Sequence, residues 1–282
     1  VTMLAGVESK GDPVTLGELL RSRRARLSPA AVGLPPGARR RTPGLRREEV
    51  AALANLSPTY YAFLEQGRQV RPSAQVLDAL AAALRLNPAE RQYLDVLANG
   101  RPASAQLRRE TEWRARPPAE TISPDVADLV ERLDPYPTFV KGRCWDVLVA
   151  NPAARELFTD WETRAPEDRN LVRWMFTSDE ATRVYLDWEQ EARAMLGRFR
   201  LATAAHMNEP SVAALVGELQ RDSAYVRRWW PEHDVVSIGN GLKRLRHPRL
   251  GPLEYAHVVL QVADRPEQTL VTYTARPPGL TG

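Results

Sequence analysis

The sequence predicts an α+β protein made of an all-α N-terminal unit of five helices and a C-terminal α+β unit. Three observations carry this reading. Between residues 15 and 98, Ser, Thr or Asn caps recur ahead of runs with helical apolar periodicity. The last forty residues instead alternate apolar and polar side chains between turns rich in Pro and Gly, the pattern of half-buried strands. Charge and tryptophan divide the chain in the same way. Residues 1–120 hold 19 Lys and Arg against 12 Asp and Glu, the remainder holds 20 against 23, and all seven Trp lie at Trp113 or later. A length of 282 residues suits about two domains.

Taken in order, residues 1–14 read as a disordered leader. Thr15 followed by Glu18 forms a capping box for a first helix, whose Leu16, Leu19, Leu20, Arg23 and Leu27 share one face and leave Arg21, Arg24 and Arg26 outward. The stretch SPAAVGLPPGARRRTPG has four Pro and three Gly, so it reads as a basic connector. A second helix runs from about Arg46 to Ala54. Ser57 caps a third that has Pro58 at its first position and stops at Gly67. Ser73 opens a fourth helix, and Asn87 with Glu90 opens a fifth that ends near Ala98. Residues 15–100 therefore form the first domain, 101–124 a polar linker and 125–282 the second domain. There TFVKGRCWDVLVAN reads as two strands around Lys141 and Gly142. Helical patterns follow over 178–205 and 211–220, and strands separated by HPRLGP and ADRPEQ close the chain.

Residues 46–67 have the pattern of two helices meeting at a sharp angle. Val50, Ala51, Ala54, Leu56, Tyr61 and Leu64 would face inward, with small Ala residues where the helices cross. Asn55 sits where the turn demands a left-handed backbone. Glu65 reads as structural, pairing with an Arg or capping a neighbour.

Composition narrows the function. The mean composition is that of an ordinary globular chain, 43% hydrophobic and 26% charged. No run approaches the roughly 18 apolar residues of a membrane span. The N-terminus lacks the pattern of a secretory leader, and the one cysteine, Cys144, allows no internal disulfide. The expected compartment is the cytoplasm. No HExxH, GxSxG, GxxxxGK[ST] or GxGxxG motif occurs, and the four His are scattered. No catalytic or metal site is expected.

The stretch LRREEVAALANLSPTYYAFLEQGRQVRPSAQVLDALAAAL resembles the XRE family of λ-repressor-like helix-turn-helix domains, over roughly residues 15–98. RTPGLRREEVAALANLSPTYYAFLEQGRQVRP, RNLVRWMF, LVGEL, HDV and KRLRHPRLG together resemble the MmyB-like subgroup of transcriptional regulators. That resemblance implies a λ-repressor-like DNA-binding domain, a PAS-like ligand-binding domain and a fatty-acid-like effector, with no cofactor. Carried over position by position, Ser57, Pro58, Thr59, Tyr60, Ala62 and Phe63 fall on the groove-facing helix. Arg39, Arg40, Arg41, Arg46, Arg47, Arg68 and Arg71 would hold phosphates of double-stranded DNA. The reading helix lacks the amide and guanidinium side chains of bidentate base readers, which shifts specificity toward Thr59 and the flanking arginines. A homodimer on a pseudo-palindromic operator follows from the geometry of such helices.

In the second domain the aromatic residues Trp145, Phe158, Trp161, Trp174, Phe176 and Trp188 are candidates to line an apolar pocket. Arg169, Asn170 or Arg173 would meet the polar end of a small-molecule effector. Trp229, Trp230, His233 and Asp234 form a second candidate wall or a dimer contact. Two other readings stay open for this domain: an interaction or dimerisation module without ligand, and an enzyme.

Overall fold

The computed structural model of the chain describes residues 15–35, 44–68, 70–99, 120–207 and 209–276. Five helices make the N-terminal unit: α1 (Leu16–Arg26), α2 (Arg47–Leu53), α3 (Pro58–Glu65), α4 (Ala74–Ala83) and α5 (Pro88–Asn99). Each start follows its local chemistry. Thr15 and Glu18 exchange bonds between side chain and backbone, as do Asn87 and Glu90. The Ser57 hydroxyl accepts from the Tyr60 N–H at 3.1 Å, and Ser73 caps α4. Asn55 turns the chain between α2 and α3 with φ 53°, and Gly67 ends α3 with φ 68°. Leu19, Leu20, Val50, Ala51, Tyr61, Leu77, Leu80 and Leu94 are buried in a single core.

The crossing of α1 over α3 depends on Gly17. A Cβ there would lie 2.8 Å from the Glu65 carbonyl carbon and closer still to its oxygen. The obstruction is backbone, which cannot rotate away. Gly17→Ala is expected to lower the stability of the N-terminal unit by about 1–3 kcal/mol, read as earlier loss of helical circular dichroism on heating.

One expectation about α1 fails. Arg24 is not outward but turns back onto Glu65, 41 residues away in sequence, leaving Arg21 and Arg26 as the exposed arginines of that helix.

The C-terminal unit comprises α6 (Pro124–Arg132), β1 (Thr138–Lys141), β2 (Val147–Ala150), α7 (Pro152–Leu157), α8 (Leu171–Thr177), α9 (Asp179–Val184), α10 (Trp188–Thr203), α11 (Pro210–Asp222), α12 (Ala224–Trp229), β3 (Gly241–His247), β4 (Gly251–Val262) and β5 (Arg265–Ala275). Its five strands form one antiparallel sheet in the order β2-β1-β5-β4-β3, with the helices from α7 to α12 inserted between β2 and β3. This is the α+β arrangement expected. Alternation along the strands divides the sheet into two faces. Phe139, Val271 and Tyr273 meet the large helical core, while Val140 and Leu270 meet α6.

Two details depart from the sequence reading. Residues 120–124, assigned above to the linker, are held on the sheet. The Glu120 carboxylate accepts from the Arg143 N–H, and the Thr121 carbonyl accepts from Gln268 and Arg265. The helix expected over 178–205 is broken at residues 185–187. There Tyr185 bridges to Leu245, and the Leu186 N–H donates to the Arg244 carbonyl at 3.0 Å. Pairing with a strand sixty residues away overrides a locally continuous helical pattern.

Candidate nucleic-acid interface and effector cavities

Ser57, Pro58 and Thr59 are exposed at the head of α3, while Tyr60, Ala62 and Phe63 are half-buried. Tyr60 packs on the N-terminal core beside the fully buried Tyr61. Phe63 lies under the Arg68 guanidinium, 4.4 Å from the ring centre. Arg46, Arg47, Arg68 and Arg71 are exposed around this edge. Arg39, Arg40 and Arg41 lie outside the described residues.

Beneath that edge a buried glutamate is held by three arginines, two on its carboxylate and one on its backbone carbonyl. Glu65 is 1% exposed. Its Oε1 accepts from Arg24 Nε at 2.5 Å and its Oε2 from Arg47 Nε at 2.6 Å, while its backbone carbonyl accepts from Arg21. Arg24 also donates to the Leu45 carbonyl at 2.9 Å, tying the end of the connector to the same bracket. Burial alone would raise the Glu65 pKa, but the bonds from Arg24 and Arg47 outweigh it and hold the carboxyl below its usual range. Arg47 thus has one nitrogen on Glu65 while its side chain stays half-exposed.

The predicted effector residues are not brought into one place. Asn170 drops out of the candidate set. It is 2% exposed, its Oδ1 accepts from the Val172 and Arg173 N–H groups, and its Nδ2 donates to Cys144 O and Asp146 Oδ1. With all four bonds made, it fastens α8 to the β1–β2 hairpin and has nothing left to offer a ligand. Arg169 is held by the carbonyls of Arg164 and Glu162. Trp174 is 1% exposed, stacked edge-on against Phe158 and Trp161, and donates to Glu180; it is core. Arg173, paired with Glu218 at 2.5 Å, and Trp188 do share a cleft of about 540 Å³ with Phe176 and Tyr225. Trp145 lines a different cavity, of about 460 Å³.

His233 belongs to the contact between the two units. The backbone turns there with φ 57°, and the segment 230–235 is grasped by α1 from one side and α10 from the other. Arg23 donates to the His233 carbonyl at 2.6 Å, and Ser22 to the Glu232 carbonyl. The Asp234 carboxylate receives Arg26 at 2.5 Å, Arg193 at 2.7 Å and Arg23 at 3.4 Å. Arg200, 1% exposed, donates to the Trp230 carbonyl and lies 4.1 Å over the Trp230 ring. Val235 and Ala204 complete the N-terminal core itself. Sequence reasoning picked out His233 and Asp234 but not their partners. The i,i+3 pair Arg23 and Arg26 on α1 was the available sign, and nothing in a linear reading says what such a pair faces.

Two comparisons bear on this geometry. The signature of the MmyB-like transcription regulator ligand binding domain matches residues 122–279, and that of a helix-turn-helix domain matches residues 15–94. No curated relative matches the chain.

Proposed function

The chain belongs to the MmyB-like transcription regulators, and from that premise we propose the finer reading. The protein is a DNA-binding transcription regulator with a ligand-sensing domain. In our reading it is a cytoplasmic homodimer on a pseudo-palindromic operator, answering to a small apolar or amphiphilic, fatty-acid-like effector without catalysing a reaction. What supports the DNA side is the exposed head of α3, Ser57 to Thr59, set among Arg46, Arg47, Arg68 and Arg71 on a turn fixed by Asn55. A dimer places two such helices about one duplex turn apart. The arginines supply affinity through phosphates, while the Thr59 hydroxyl and methyl are suited to a base edge and a thymine methyl.

The test is fluorescence anisotropy with duplexes selected from a random pool, across a salt series. Affinity is expected to fall steeply with salt. Arg71→Ala should weaken binding to every sequence and reduce the salt slope by about one. Thr59→Ala should reorder preference among sequences by about 1 kcal/mol. Arg71 is a cleaner choice than Arg47, whose loss also releases Glu65. Unchanged binding in both variants would overturn the assignment of these residues.

A further inference from the structure

The 460 Å³ cavity lies where the two units meet. Gln92 and Val96 of α5 form the wall on the DNA-binding side; Leu201 of α10, Val259 of β4, and Lys141 with Trp145 from the β1–β2 hairpin form the other. Lys141 is the unusual member. It ends β1 inside the sheet, paired in register with Thr269, and is only 6% exposed. Its ammonium lies 4.0 Å from the centre of the Trp145 ring, and among the described residues it makes no ion pair. Glu120 attracts it from a distance, but burial and the Arg198 charge weigh more and push its pKa down to about 7. The other buried lysine of this sheet, Lys243 on β3, is 7% exposed and is ion-paired with Glu191, which also receives Arg198. Arg143 and Glu267 line the cavity as well, and among the described residues Lys141 makes no ion pair with any of these groups.

Burying an ammonium without an anion is unfavourable, and a cation–π contact offsets only part of that. The Trp145 backbone has φ 67°, a conformation strained in any residue but glycine. Backbone strain clusters at ligand clamps, and a buried titratable group lining a cavity is a candidate binding position. A negatively charged group placed in the cavity would give the Lys141 ammonium a direct counter-charge.

We propose that the effector binds in this cavity with an anionic head, a carboxylate or phosphate monoester, against Lys141 and an apolar body along Val96, Leu201 and Val259. It rests on the ligand-sensing reading above, and adds the site, the charge and a route of control. Since α5 supplies one wall, a ligand there touches the DNA-binding and sensing units at once. Occupancy then favours whichever arrangement of the two keeps that wall in place.

The probes are octanoate and its neutral counterpart octanamide, titrated calorimetrically into the full chain. The wild type is expected to bind octanoate at least about tenfold tighter than octanamide, the worth of one charge-assisted contact. Lys141→Met should bring the two within twofold of each other without lowering the unfolding temperature. Gln92→Trp, made at an exposed α5 position, should weaken both by filling the cavity from the DNA-binding side. If Lys141→Met binds octanoate as the wild type does, or Gln92→Trp leaves both affinities unchanged, this placement is wrong while ligand sensing stands. If the wild type binds neither probe, the placement and the amphiphilic-effector reading fall together.

Discussion

Glu65→Ala unfolds the N-terminal helices at distinctly lower urea than the wild type, a loss of about 3–5 kcal/mol, the usual result of removing one partner from a buried ion pair. The carboxylate is fully enclosed, with Arg24 at 15% and Arg47 at 47% side-chain exposure on either oxygen. Its removal leaves Arg24 without its counter-charge inside the bracket and lets go of the Leu45 carbonyl and the start of α2. The Arg47 arm is open to solvent and contributes little, so most of the loss belongs to Arg24. Glu65→Gln keeps the shape and one acceptor, and should cost less, about 1–2 kcal/mol. The acid limb has a definite sign. The folded pKa lies below the unfolded value, so the contribution is complete above pH of about 4.5 and disappears as pH falls through the folded value. The measurement separates the units cleanly. All seven Trp lie at Trp113 or later, so tryptophan fluorescence reports on the C-terminal side while far-ultraviolet circular dichroism also follows the five N-terminal helices. The variant should show an early loss of helix with the fluorescence transition little moved. Coincident, unshifted transitions would contradict this account of Glu65.

Most of the N-terminal unit was legible in the sequence because its determinants are local. A Thr, Ser or Asn cap acts three residues away, Asn55 acts on its own φ, and Pro58 acts on its own missing N–H. The strand alternation of the last forty residues is equally local, and it placed β3, β4 and β5. What escaped was decided by long-range partners. Arg24 and Arg26 are both charged and two positions apart on α1, and only the fold turns one to Glu65 and the other to Asp234. Arg169, Asn170 and Arg173 read as a pocket mouth because they adjoin the aromatic Trp174 along a short helix. In space Asn170 is a bracket, Trp174 is core, and only Arg173 reaches a cleft. Lys141 escaped because one lysine closing a strand carries no sign of its burial, which comes with β5 pairing beside it and the Trp145 ring under its ammonium.

Asp234→Ala loosens the grip between the two units, and with it the influence of the effector on DNA. The carboxylate neutralises Arg26, Arg193 and Arg23 together, and its pKa is pushed down to about 2 because bonds from Arg26 and Arg193 outweigh the opposing effect of burial. Without it Arg26 and Arg193 share Glu232 alone, while Arg23 keeps Glu90 at 3.2 Å. Arg26 and Arg193 are partly solvated and their share is discounted, which leaves an expected cost of about 2 kcal/mol in the docking equilibrium. Small-angle X-ray scattering should register a larger radius of gyration for the variant. His233 gives the same joint a pH dependence. Burial and the nearby Arg200, Arg23 and Arg26 charges lower its pKa from 6.5 to about 4. A separated chain therefore takes up a proton that the docked one refuses, and docking weakens as pH falls from about 6.5 towards 4. The functional consequence follows from linkage: an effector can alter operator affinity only by the free energy with which it discriminates docked from undocked states. If the joint transmits the signal, the factor by which octanoate changes operator affinity should shrink towards one in Asp234→Ala while octanoate still binds. An unchanged factor in a variant shown to be expanded would mean that the two units communicate by some route other than Arg23, Arg26 and Asp234.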